Sequence, residues 1–189
     1  MINVDFNQQK PFVKISDKSN DYVKKSFDIA LKILKTKITN KFINGPISKK
    51  FFLKKKYLGI TEYLAHRTNT KNFAMLIYNK DLSVCPLTTH LPLKKVSKKI
   101  SKNLIREKIK LIDKFYKNYF NKKPKMVITG LNPHCESIDA FNEDEKIIKP
   151  AIKSLNKLKY NILGPFAADT IFLKEKRIKY DVIIGSYHD

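Results

Sequence analysis

Apolar positions recur along this chain with two different periods. From Ser19 to about Lys37, Val23, Phe27, Ala30, Leu31 and Leu34 return every three or four residues, which predicts an amphipathic helix. A longer stripe follows over residues 94–120, where Val96, Ile100, Leu104, Ile105, Ile109, Ile112, Tyr116 and Tyr119 share one face and lysines fill the other. A third helix is expected at about 143–158, with Glu143, Asp144 and Glu145 in the first turn, where the helix dipole favours negative charge. His66 falls in a further short helical segment, Tyr63-Leu64-Ala65-His66-Arg67, as a surface residue. Between these lie short apolar runs. Met126–Thr129, Tyr160–Leu163 and Asp181–Gly185 read as strands, each followed by a Gly-containing turn, and Phe42-Ile43-Asn44 reads as a strand stopped by Gly45-Pro46. Residues 72–78 and 82–87, joined by Asn79-Lys80-Asp81, read as an antiparallel hairpin.

Strands that alternate with helices predict an α/β fold whose sheet is mostly parallel, with one antiparallel hairpin. Residues 1–20 show little periodicity and read as a lead-in, which leaves 21–189 as the folded portion. No internal repeat or linker-like break in composition is visible.

Composition narrows the function classes. Of 189 residues, 42% are hydrophobic, enough to bury a core, and no apolar run is long enough to span a bilayer. The N-terminus lacks the apolar stretch of a secretory signal, and two cysteines are too few for a disulfide framework, so a reducing cytoplasmic setting is expected. The formal charge is +22, a value that raises nucleic acid as a partner. Yet only Arg67, Arg106 and Arg177 among the 39 basic residues are arginines, and base or phosphate reading favours the planar guanidinium fork. The lysines are also scattered over nearly every segment. They read as a solvated surface whose field still attracts phosphorylated metabolites.

Three of the four histidines occupy equivalent places. His90, His134 and His188 each end a short turn after an apolar strand, where open α/β sheets bind ligands. Three neutral imidazoles converging there can hold one divalent cation and leave positions for substrate, the arrangement of a catalytic metal site. From spacing alone, three unrelated loop residues are the commoner case.

The words around these histidines change that balance. Thr88-Thr89-His90-Leu91-Pro92-Leu93, Gly130-Leu131-Asn132-Pro133-His134, Gly164-Pro165-Phe166-Ala167-Ala168-Asp169-Thr170 and Tyr187-His188-Asp189 occur in this order. With Asn44-Gly45-Pro46-Ile47-Ser48-Lys49 and Gly59-Ile60-Thr61-Glu62-Tyr63, they resemble the 4-hydroxythreonine-4-phosphate dehydrogenase family from about Asp21 to the last residue. The resemblance implies a three-layer fold like that of the isocitrate and isopropylmalate dehydrogenases. It implies NAD-dependent, metal-assisted oxidation and decarboxylation of 4-phosphooxy-L-threonine in pyridoxal phosphate biosynthesis, with zinc, magnesium or cobalt as the cation. His90, His134 and His188 correspond to the family's metal ligands, shared across a homodimer, and Thr61 to a residue that holds the substrate phosphate. Asp169 corresponds to a position suited to an active-site carboxylate, or caps the turn that follows it. Lys49 is placed to neutralise substrate charge, or is one more solvated lysine. No residue is assigned to NAD.

The sequence also departs from the family. Ile60 stands where the family often has His, and Cys135-Glu136-Ser137-Ile138-Asp139-Ala140 replaces a Gly-rich loop. Family chains extend beyond both ends of this one, so the sequence reads as a central portion, truncated at both ends and expected to turn over weakly or not at all. The alternatives are a catalytically inactive relative that keeps metal and phosphate contacts, and a basic nucleic-acid-binding protein with steeply salt-dependent affinity.

Overall fold

Four short strands lie side by side, all parallel, in the order β1-β4-β2-β3, in the computed structural model of the chain. They are β1 (Ser83–Pro86), β2 (Met126–Thr129), β3 (Ile162–Phe166) and β4 (Val182–Gly185). The structure describes residues 1–8, 10 and 14–188. Part of the expected lead-in and Asp189 of the terminal motif therefore lie outside the described residues. The chain divides into two units, Met1–Lys71 and Asn72–Asp189.

The sheet belongs to the second unit. Its central strands β2 and β4 are buried on both faces, as parallel strands joined by helical crossovers must be. Strand alternation sorts their side chains. Met126, Ile128, Val182 and Ile184 face α4 (Lys102–Phe120) and α5 (Lys149–Lys157), whereas Val127 and Ile183 pack with Ile171 of α6 (Ala168–Ile171) on the other side. Helix, sheet and helix make three layers. Ile105, Ile109, Ile112 and Tyr116 supply the α4 contribution, so the long apolar stripe points where its period requires.

That stripe is not one helix. α3 (Val96–Lys99) ends at Ile100, which is extended (φ −65°, ψ 123°), and Ser101 then caps α4 by accepting the Leu104 N–H at 3.2 Å. Val96 and Ile100 still reach the core, which is why the pattern alone runs on through the break. The helix expected at 143–158 also begins differently. Asp144–Ile148 form a wider π turn before α5. Pro150 has no N–H and its ring crowds the preceding turn, which widening relieves.

The expected hairpin shrinks to a single antiparallel bridge, in which the Ile77 N–H donates to Val84 at 2.8 Å and the Val84 N–H donates back at 2.9 Å. Asn79-Lys80-Asp81 contains no Gly to take a tight hairpin turn. Its Asn79 side chain accepts the Asp81 N–H at 2.9 Å instead, which closes a local turn without setting a register. At the far edge, Gly164 (φ +127°) lies where a Cβ would run into the Ile128 carbonyl, and the β2–β3 register shifts between Val127 and Thr129.

The first unit contains α1 (Asn20–Lys35) and α2 (Ile60–Arg67) around Phe27, Leu53 and Tyr63. Phe27 meets the rings of Phe42, Phe52 and Tyr63 at 5.3–5.9 Å. Phe42-Ile43-Asn44 forms no strand: Phe42 packs on this aromatic cluster while Ile43 is exposed. Arg67 pairs with Asp28 and donates to the Tyr63 hydroxyl, fixing α2 against α1. The last short helix of the second unit, α7 (Lys174–Arg177), precedes β4. Among the described residues, no helix is long and apolar enough to cross a membrane.

Two outcomes test this packing. Gly164→Ala is expected to destabilise the chain by about 1–3 kcal/mol in urea unfolding, because it adds a Cβ at positive φ against fixed backbone. Burial pushes the Cys85 thiol up from an ordinary value of 9.0 to about 11. Above pH 9 the unfolded chain loses this proton while the folded chain keeps it, so stability falls as pH rises between these values. Unfolding measured from pH 8 to 11 should show a steeper loss in the wild type than in Cys85→Ala.

Candidate metal centre at the carboxyl edge of the sheet

Each strand of the sheet delivers one candidate residue at its carboxyl end. β1 leads to His90, β2 to His134, β3 to Asp169 and β4 to His188. The strand order makes β1 and β4 neighbours although about a hundred residues separate them, and this places His90 beside His188. Their ring centroids are 5.8 Å apart with planes inclined by 29°.

The β1–β4 pairing does not stop where the strands end. Leu87 N–H donates to the Gly185 carbonyl at 2.8 Å and Thr88 N–H to that of Ser186 at 3.3 Å. The Thr88 hydroxyl reaches the same Ser186 oxygen at 2.9 Å, in a buried bond. Leu91 N–H then closes on the Thr89 carbonyl at 2.8 Å, a three-residue turn with His90 at its apex. The imidazole pair is thus held by a continuation of the ladder on both sides. The Ser186 hydroxyl is buried here with no hydrogen-bond partner among the described residues. An orphaned donor and acceptor of this kind is costly inside a protein, and a polar ligand or ordered water beside His188 would satisfy it.

His134 lies at the end of the neighbouring turn and is exposed. It takes a left-handed conformation (φ 54°, ψ 16°), and Cys135 follows at φ 63°. Two successive non-Gly residues of this kind cost about 1–2 kcal/mol each, a strain found preferentially at functional sites. Burial pushes the Cys135 thiol above its ordinary value, and the Asp144 and Asp169 carboxylates push it the same way. Asp169 is exposed, in the first turn of α6, and makes no cap bond there. Its alternative as an N-cap is therefore not what the structure contains: Ala167 holds that position.

Among the described residues of one chain, no three His, Cys, Asp or Glu side chains gather into a set able to hold a metal ion. Two of the expected ligands come together and His134 does not join them. What one chain offers at this edge is the two imidazoles side by side, with an unsatisfied buried hydroxyl two residues before His188 in the chain; imidazole nitrogens are the donor type that divalent zinc takes.

Thr61 and Lys49 belong to the first unit. Thr61 is half-buried in the first turn of α2, after Gly59 at the N-cap, where backbone N–H groups are available to an anion. Lys49 is exposed and opens a π turn capped by Ser48, whose hydroxyl accepts the Phe51 N–H.

Three contributors to the site escaped the sequence reading as individual residues. Thr88 and Ser186 sit inside recognised words, but their mutual bond exists only once β1 and β4 pair. Asp144 reads from sequence as a helix-dipole acid, yet it is fully buried and its carboxylate accepts hydrogen bonds from the turn that carries His134. Partners that are backbone N–H groups leave no signature in a side-chain pattern.

Residues 1–189 match the family described as Pyridoxal phosphate biosynthetic protein PdxA. A 4-hydroxythreonine-4-phosphate dehydrogenase of Sulfurihydrogenibium sp. (strain YO3AOP1) is 38% identical over 164 residues, covering 85% of this chain and 50% of that protein. A D-threonate 4-phosphate dehydrogenase of Pectobacterium atrosepticum is 31% identical over 134 residues, covering 70% of this chain and 41% of that protein. The crystal structure of 4-hydroxythreonine-4-phosphate dehydrogenase from Klebsiella pneumoniae superposes with a TM-score of 0.80 at 26% identity, over 93% of this chain and 55% of that one. The chain spans about half the length of the curated relatives it matches. With the family match running from the first residue to the last, and the histidine-bearing words at the ends of adjacent parallel strands, the chain belongs to the PdxA family of pyridoxal phosphate biosynthetic proteins.

Proposed function

We propose that this chain is the central portion of a metal-dependent dehydrogenase that oxidises the secondary alcohol of a phosphorylated hydroxy acid, 4-phosphooxy-L-threonine, on the way to pyridoxal phosphate. The observation that carries the reading is the pairing of His90 with His188 across the β1–β4 ladder. His134 completes the ligand set from a second copy of the chain: it is exposed, on a strained turn, and outside the pair of its own chain. That makes the active form a homodimer.

The residues divide the work. His90, His134 and His188, as neutral imidazoles, would hold the cation. Bound there, a divalent metal such as zinc, magnesium or cobalt supplies Lewis acidity at the substrate alcohol and ketone, and NAD accepts the hydride. Thr61 donates its hydroxyl to the substrate phosphate, and the Lys49 ammonium offsets its charge. Asp169 offers a carboxylate at the same sheet edge to take a proton from the alcohol or return one. The surrounding lysine-rich surface draws the dianionic substrate in by its field, without base-specific recognition. The two relatives' named substrates, 4-hydroxythreonine 4-phosphate and D-threonate 4-phosphate, share a carboxylate, a secondary alcohol and a terminal phosphate. They differ at the carbon bearing an amino or a hydroxyl group.

Calorimetric titration of the purified chain tests this reading. Zinc is expected to bind the wild type, and His90→Ala, His134→Ala and His188→Ala are each expected to weaken it by at least tenfold. 4-Phosphooxy-L-threonine should then bind the zinc-loaded chain more tightly than the metal-free one. Absence of zinc uptake, or equal binding of any polyanion with and without zinc, would contradict it.

A further inference from the structure

The turn after β2 contains a puzzle of its own. His134 and Cys135 both hold left-handed backbone angles that neither residue favours, with no Gly in the segment that follows. The Gly130 N–H ties the entry of the turn to the Phe166 carbonyl at 2.9 Å, whereas the bonds nearer its tip, Cys135 N–H to Asn132 at 3.0 Å and Glu136 N–H to Pro133 at 3.0 Å, stay within the turn. Something rigid has to fix it against the sheet.

Asp144 meets that requirement. Its side chain is wholly buried, and its two oxygens accept three N–H groups from the turn. Oδ1 takes the Leu131 N–H at 2.9 Å, while Oδ2 takes the Asn132 N–H at 3.0 Å and the Asn132 Nδ2–H at 3.0 Å. Asn132 Nδ2 also reaches Glu143 at 3.2 Å, and the Asp144 N–H is held by Asn142 at 2.9 Å. Gly130 makes the approach feasible: a Cβ there would stand 3.1 Å from Asp144 Oδ1 and 2.6 Å from Cys135 Sγ. Asp144 in turn rides on the π turn that leads into α5, and Ile148, Ala151, Ile152 and Leu155 lock those two elements onto the sheet. Hydrogen bonds to an ionised acceptor are about twice as strong as neutral ones, so a carboxylate anchors the turn better than any uncharged group of its size.

We propose that Asp144 is a positioning residue for His134, its buried carboxylate holding the Gly130–Cys135 turn in the one shape that sets the His134 imidazole. The metal role of His134 rests on the function proposed above, whereas the anchoring of the turn does not. Buried partners behind metal ligands typically change metal affinity by about 10–100-fold when removed.

The test uses the full chain in three variants. Asp144→Asn keeps the size but turns one oxygen into a donor that faces N–H groups. Asp144→Glu keeps the charge. Leu155→Ala loosens the same helix far from the turn. In the metal-free protein, Asp144→Asn is expected to shift or broaden the NMR signals of the His134 ring and to speed exchange of the Leu131 and Asn132 amides at least tenfold. Asp144→Glu should recover most of both. Leu155→Ala should leave the His134 ring signals where they are, however much stability it loses. If Asp144→Asn does not fold, Asn132→Ala, which removes only the side-chain donor, is expected to move the same ring signals. Wild-type ring signals in folded Asp144→Asn or Asn132→Ala, or an equal shift in Leu155→Ala, would overturn the proposal. Cobalt titration adds the functional arm, with an expected loss of at least tenfold in affinity for Asp144→Asn. A wild type that takes up no cobalt would sink the metal reading alone, and the ring signals would still decide the role of Asp144.

Discussion

Parallel pairing of β1 with β4 is the constraint on which the rest depends. Residues 83–86 and 182–185 come from nearly opposite ends of the second unit, and only their side-by-side alignment can bring the turns beyond them into contact. The register matters as much as the pairing. Cys85 opposite Ile184 and Pro86 opposite Gly185 put Thr88 within reach of the Ser186 carbonyl, and His90 then lies two residues beyond one partner and His188 two beyond the other. A one-residue slip would turn every side chain to the other face and part the two rings. The apolar strands and the layers that cover them are therefore a machine for placing two polar rings.

A second support stands on the other side of β4. The β2–β3 ladder runs through the irregularity at Gly164-Pro165 to Phe166, whose carbonyl accepts the Gly130 N–H at 2.9 Å, but it does not reach the tip of the β2 turn. A single buried carboxylate takes over, gathering the N–H groups that the turn leaves unpaired. One candidate ligand pair is thus fixed by backbone pairing and the remaining histidine by a side chain. Both rest on the same sheet, since β4 pairs with β1 on one side and with β2 on the other.

What the sequence made legible follows from where the information sits. α1, α4 and the strands at β2 and β4 carry their burial in their own periodicity, and they appear where the pattern puts them. The ends of elements did not. Ile100 keeps its place in the apolar stripe while leaving the helix, and Ser101 begins a new one with a cap that a lysine-rich context hides. The hairpin failed because Asn79 satisfies a nearby N–H by itself, a local bond that competes with strand pairing. For the site, the words containing His90, His134 and His188 all fall at the carboxyl edge of the sheet, but which two histidines meet is a property of strand order. Asp144 was invisible as an anchor, since two of its three partners are main-chain N–H groups, thirteen and twelve residues earlier, that only the crossover brings back.

The +22 charge takes a secondary place in this account. Lysines are exposed along α1 and α4, whereas the candidate residues His90, His134, Asp169 and His188 follow the strand ends at one sheet edge. X-ray absorption at the zinc edge of the loaded full chain tests the central claim most directly, because it counts the imidazoles that share the ion. The account expects a shell of nitrogen and oxygen at about 2.0–2.1 Å with the outer-shell scattering of histidine rings, reduced by one ring in each of His90→Ala and His188→Ala. A zinc shell without imidazole scattering, or one that both substitutions leave unchanged, would contradict it.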